Sequence, residues 1–271
     1  MFEALSLPFM QHALLAALLA AVCCGVVGTL VVANRMVFLA GGIAHAAYGG
    51  VGLAYFLALP VLPVTVAFTM GAALVMAAIT LRRVEDTDTV IGVLWASGMA
   101  LGIILLDLCP GYKPDLMSYL FGSIITVPVG DLVALVVLNV ALVAATLRYY
   151  NGFVAMAFDR EFAAVRGAPV TMLHYLLTAL AAISVVLLIR VAGLILIIAL
   201  LTVAPSLAMR RAGSLGRAMV GATVLNVVFC LTGLWLAYRF DLTSGAAIIA
   251  VAASVFFLSL GRGVVCRRRG A

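Results

Sequence analysis

Apolar residues run along this chain in blocks of about twenty, broken by short clusters of charge, proline and glycine. The pattern is neither the strict alternation of a half-buried strand nor the one-sided stripe of a soluble helix. Cutting the runs at charges and prolines leaves nine candidate spans, near 10–33, 37–58, 61–81, 88–107, 130–148, 170–190, 192–209, 217–239 and 243–262. A helix needs roughly 20 residues to cross about 30 Å of hydrocarbon, and these runs have or approach that length. A transmembrane barrel would show short alternating strands, whereas these blocks are continuous and rich in Ala and Leu. The expectation is an all-α, polytopic helical bundle of about eight to nine transmembrane helices, forming a single domain over 1–271.

Composition agrees: 66% of the 271 residues are hydrophobic, 10% are charged and the mean hydropathy is +1.30. A soluble domain of this size could not keep that much apolar surface from water. The opening "MFEALSLPFMQHALLAALLAA" lacks a basic stretch and runs directly into apolar sequence, so it reads as the start of the first span rather than a cleaved leader. The five cysteines show no CxxC spacing and read as small apolar side chains.

The net charge of +6 is a matter of topology, not of nucleic-acid binding. If the loops near 34–36, 82–87, 149–169 and 210–216 and the tail after 262 share one side, that side holds thirteen arginines, against Lys113, Arg190 and Arg239 opposite. The positive-inside rule then puts the C-terminus in the cytoplasm and, with an odd number of spans, the N-terminus outside. The terminal Arg267–Arg269 run belongs to the same topological and headgroup signal.

Two loops are long. The outer loop, 108–129 between Asp107 and Asp131, holds prolines and glycines around a short apolar piece and reads as a loop with a re-entrant segment. The inner loop, 149–169, carries the helical pattern "DREFAAVRG", with Asp159 placed to cap it and Gly167 to end it. Asp241, before "LTSG", is expected to cap the last helix.

Absences narrow the chemistry. The single lysine, Lys113, follows a tyrosine, so there is no P-loop and any ATP dependence belongs to a partner. No HExxH, GxSxG or paired intramembrane carboxylates occur, which points away from an enzyme. Every Asp and Glu falls at a span end or in a loop, which argues against an ion-coupled transporter and for a pathway driven from outside the chain.

One span does hold an ionisable group at depth. In "FLAGGIAHAAYGGVGLAYFL", Gly41, His45, Tyr48, Gly49 and Gly52 fall at helical spacing. His45 reads either as a transient metal ligand facing a path or as a histidine hydrogen-bonded to a neighbouring helix, with Gly41, Gly49 and Gly52 serving close packing. One imidazole is not a complete site: a second copy could supply another, or Tyr48 and backbone carbonyls could supply oxygen. Asp107, Cys109 and Asp115 form either an acidic vestibule at the outer mouth or a solvated loop. His12 and His174 read as helix-end residues.

Six segments, in this order, resemble the permease subunit of the zinc/manganese/iron family of ATP-binding-cassette importers: "FMQHALLAALLAAVCCGVVGTLVV", "IAHAAYGGVGLAYFL", "DLMSYLFGSI", "FDREFAAVRG", "GLILIIALLTVAPSLA" and "DLTSGAAIIAV". The resemblance covers nearly the whole chain and implies a type II importer-like permease in the bacterial inner membrane. It further implies a second permease copy, two cytoplasmic ATPases and an extracytoplasmic metal-binding protein, with no permanently bound cofactor and a divalent metal ion as transported substrate. The segment from Phe158 to Gly167 would be the coupling helix, with Asp159, Arg160, Glu161 and Arg166 giving polar contacts to the ATPase and Phe158 and Phe162 apolar ones. The chain departs from the family at one place: an aspartate is expected one turn before the histidine, and here that position is Gly41. A permease for a metal chelate or other cargo, or a stand-alone channel or ion-coupled transporter, are the alternatives.

Overall fold

A computed structural model describes residues 8–82, 87–109 and 127–268; the proposed re-entrant segment and Asp115 lie outside them. In chain order the helices are α1 (Pro8–Ala33), α2 (Val37–Phe56), α3 (Val61–Arg82), α4 (Thr87–Leu108), α5 (Val129–Arg148), α6 (Tyr150–Phe158), α7 (Arg160–Val165), α8 (Val170–Ala192), α9 (Leu194–Met209), α10 (Leu215–Phe240) and α11 (Ser244–Arg268). No strand occurs among the described residues. Eight of these helices are long and apolar enough to cross a membrane, and α9 is a shorter apolar helix. At 16 residues α9 extends about 24 Å.

The break between α8 and α9 falls at Gly193, whose φ of 79° and ψ of 159° suit glycine and few other residues. The sequence reading placed this junction two residues earlier, because Arg190 looked like a span end. Arg190 instead lies in the last turn of α8 and pairs with Asp131 in the first turn of α5, 3.2 Å apart. This pair marks the end of the bundle opposite the arginine-rich loops.

A second correction concerns Asp241. It does not open the last helix. It closes α10 in a left-handed conformation (φ 53°, ψ 44°), its N–H donating to the Ala237 carbonyl, and α11 begins only at Ser244. Aspartate tolerates that conformation better than most residues, which is why a cap-type residue appears at a helix end here.

The helix α1 is enclosed by α5, α8, α9 and α10, while α2 is sandwiched between α3 and α4. Lipid and protein core are both apolar, so burial alone cannot drive these helices together; small residues and buried amides do it. Asn226 of α10 donates to the Leu200 carbonyl of α9 at 3.2 Å, and Asn139 of α5 donates to the Leu19 carbonyl of α1 at 3.2 Å. The cysteines Cys23, Cys24 and Cys230 are buried and unbonded to one another, as small apolar side chains are.

At the basic end, α6 packs against α1, α5 and α8, and α7 packs against α8. Phe153 and Met156 are buried from α6, and the Gly216 N–H donates to the Tyr150 hydroxyl at 2.9 Å, tying α6 to the start of α10. The sequence pattern showed α7 but not α6 as a separate helix; the 149–169 stretch holds both.

Candidate functional site

His45 sits about 12 Å along α2 from its first residue, near the middle of the span, and is partly buried on the side where α2 meets α4. Its imidazole stacks on the indole of Trp95, with ring centroids 4.0 Å apart and 12° between planes. The Trp95 N–H donates to the sulfur of Met99 one turn further on, at 3.3 Å, and the Phe38 ring leans on the indole at 6.2 Å and 56°. The indole is therefore held from two sides and fixes the plane of the imidazole. His45 Nδ1 is buried with no hydrogen-bond partner, so the ring is not consumed by a structural bond at that atom.

Glycines make this stack possible. A Cβ on Gly49 would lie 3.0 Å from the Gly98 carbonyl oxygen, and one on Gly52 would lie 2.7 Å from the Gly102 Cα. The backbones of α2 and α4 touch, and the two helices run in the same direction, so His45–Trp95, Gly49–Gly98 and Gly52–Gly102 succeed one another along the seam. Sequence reasoning did not single out Trp95, Gly98 or Gly102. The signal was present as the small-xxx-small spacing of "GMALG" in an apolar run.

Gly41 differs from these glycines. A Cβ there meets nothing within 4 Å, so open space lies one turn from His45, where a longer side chain would fit. The expected stripe divides: Gly49 and Gly52 pack, Gly41 faces space, and Tyr48 is buried. Tyr48 lines a different cavity with Thr65 of α3 and Val186, Ile189 and Arg190 of α8, one that His45 does not line. Asp107 is exposed at the far end of α4, about 18 Å along the helix from Trp95, so it is not brought to the imidazole. No group of three or more His, Cys, Asp or Glu that could hold a metal ion occurs among the described residues.

The second candidate region is α7. Asp159 is its N-cap, its carboxylate accepting from the Phe162 N–H at 2.9 Å, and Gly167 follows with φ 82°. Phe158 (88% exposed), Phe162 (57%) and Val165 (87%) present an apolar outer face, while Ala163 (2%) packs inward. Glu161 is exposed and the Arg166 guanidinium lies 5.1 Å from the Phe162 ring centre. Arg160 turns the other way, toward the bundle, and its Nη2 is buried without a partner. Burial pushes the Arg160 guanidinium below its ordinary value. His174 is likewise internal, 4% exposed and 3.2 Å from the Thr80 hydroxyl of α3; it is a buried link between helices, not an interfacial residue.

Taken together, the eight long apolar helices and the imidazole held at mid-span of α2 define a polytopic helical membrane protein. Residues 6–263 match the ABC 3 transport family, and the chain belongs to that family. It is 43% identical over 260 residues to an uncharacterized membrane protein of Synechocystis, covering 96% of this chain and 92% of that one. It is 33% identical to a probable metal transport system membrane protein of Chlamydia trachomatis, covering 93% and 88%. Among solved structures it is similar to PsaBC from Streptococcus pneumoniae, determined in complex with a Fab, with a TM-score of 0.85 and 29% identity over 95% of this chain and 93% of that one.

Proposed function

We propose that this chain is the membrane-spanning permease of an ATP-driven importer that moves a divalent metal ion, such as zinc, manganese or iron, across the bacterial inner membrane by alternating access. The observation that carries the reading is His45: a nitrogen donor at mid-span, oriented by Trp95 and not hydrogen-bonded at Nδ1, on the helix most tightly packed by glycine. Neutral imidazole suits borderline divalent ions. A single donor binds weakly, which is what a path needs, since an ion held too tightly does not leave.

In this reading two copies pair so that both His45 rings face one path, and the arginine-rich end, with the C-terminus, is cytoplasmic. The apolar outer face formed by Phe158, Phe162 and Val165 docks on a separate ATPase, and an extracytoplasmic binding protein delivers the ion at the end marked by Asp131 and Arg190. Asp107 and Asp115 raise the local cation concentration there. Tyr48 acts by supporting α2 from behind and not as a ligand, because it lines the cavity toward α8.

A second reading concerns the cargo. The open space at Gly41 supports a substrate that carries its own ligands, a metal chelate, with His45 as one contact among several. Proteoliposomes holding the permease, its ATPase and its binding protein test both readings. Bare-ion uptake that needs ATP supports the first, and uptake only of the chelated ion supports the second. Uptake by the permease alone without ATP contradicts both.

A further inference from the structure

A cavity of about 330 Å³ opens behind α7, between the α1–α2 turn, the end of α6 and the first turns of α8. Its polar lining is Asn34, Arg35, Asp159, Arg160 and His174. Three of these are already engaged elsewhere: Asp159 caps α7, His174 faces the Thr80 hydroxyl, and the Asn34 amide N–H donates to the Leu30 carbonyl at 2.8 Å. What remains uncommitted and buried is Arg160 Nη2, a charged donor, and Asn34 Oδ1, an acceptor. A buried cationic donor without a partner is costly unless something anionic or strongly accepting meets it.

Arg35 adds to the case. Its backbone is left-handed, with φ 59°, a conformation that glycine or asparagine would adopt more readily. Arg35, an exposed residue, lines the same cavity and adds a second positive charge beside it. Counting the charged lining residues, Arg35 and Arg160 outweigh Asp159, so the cavity is net positive. The space exceeds by several times the roughly 30 Å³ of one water.

The location restricts the occupant. The outward side chains of α7 are Phe162 and Val165, whereas Arg160 shares the inward side with buried Ala163. Phe162 and Val165 do not line the cavity, whereas Phe158 does and borders both surfaces. The cavity stands at the level where α1 ends and α8 begins, at the arginine-rich ends of these spans. We propose that this cavity binds a phosphate oxyanion, paired with Arg160 and Arg35, and that it thereby fixes α7 against the α1–α2 turn. Guanidinium groups take phosphate oxygens in bidentate fashion, and basic pockets of this kind on the cytoplasmic side accept anionic headgroups. The phosphate comes either from a phosphodiester lipid headgroup or from free inorganic phosphate.

Native mass spectrometry of the full permease, titrated with phosphatidylglycerol, phosphatidylcholine or inorganic phosphate, tests this. The expected result is an adduct with one anionic probe that survives activation sufficient to remove phosphatidylcholine. Retention with phosphatidylglycerol identifies the lipid source and retention with inorganic phosphate the soluble one. Arg160→Gln and, independently, Arg35→Gln lower the retained fraction about tenfold, while Arg211→Gln, an exposed arginine outside the cavity, leaves it unchanged. Melting temperatures of the same variants show whether each is folded. Retention of both anionic probes no better than phosphatidylcholine overturns the proposal, as does undiminished retention in both cavity variants; the cavity then holds water only.

Discussion

The imidazole of His45 lies parallel to the indole of Trp95 at 4.0 Å, and Trp95 is in turn bonded through its N–H to Met99. One aromatic plane on α4 therefore sets the orientation of the only histidine at mid-span of α2. Trp95 is a positioning residue: its effect reaches the ion through the ring it holds. An aromatic contact of this kind is worth about 1 kcal/mol, so Trp95→Ala weakens apparent ion affinity roughly fivefold while maximal uptake rate is largely kept. Trp95→Phe, which keeps the stacking face, recovers most of that loss. Concentration-dependent uptake in proteoliposomes separates the two parameters.

The seam that creates the stack is sterically full. Gly52→Val or Gly102→Val drives a side chain into the facing backbone and costs about 1–3 kcal/mol by overpacking. Both variants melt at lower temperature and lose metal uptake together. Gly71→Ala in α3, where a Cβ meets nothing within 4 Å, serves as the control and melts at the wild-type temperature or slightly above it.

Gly41 is the opposite case. Gly41→Asp is accepted without steric conflict and places a carboxylate one turn from the imidazole. An oxygen donor next to a nitrogen donor suits manganese better than a lone imidazole does. If the cargo is a bare ion, the variant takes up manganese at lower concentration than wild type, read by isotope uptake. If the cargo is a chelate, the added side chain fills the space the chelate uses and uptake falls.

The apolar face formed by the end of α6 and the outer side of α7 carries the coupling claim. Phe158→Ser and Phe162→Ser each remove an exposed aromatic of the kind that dominates interfaces, at about 2 kcal/mol or roughly thirtyfold in affinity for the ATPase. Neither side chain is buried, so the melting temperature of the permease alone is unchanged. Co-purification of the ATPase, and stimulation of its turnover, report the loss.

Much of this architecture was legible from residue order. The long apolar runs marked the spans because lipid admits only helices and closed barrels, and continuous runs do not suit the alternating strands of a barrel. Asp159 and Gly167 bracketed α7 by capping chemistry that acts within a few residues. What stayed hidden depends on contacts between distant segments. Trp95 is one apolar residue among many until α4 is laid on α2. Tyr48 shares the helical spacing of His45, yet it is turned toward α8 by a packing partner more than a hundred residues away. Arg160 looked like a surface charge in "DREFAAVRG" because six residues are too few to show which side of a short helix faces in. Asp241 carried a cap residue's identity at a helix end of the other kind, a distinction made by φ alone.

The central claim is that His45 is the donor the ion meets at mid-membrane. Its most direct measurement is metal uptake by His45→Ala in proteoliposomes containing the ATPase and binding protein, with assembly of the complex monitored in the same preparation. The account predicts an intact assembly, ATPase activity retained, and uptake across zinc, manganese and iron reduced at least tenfold. Wild-type uptake in that variant would contradict it.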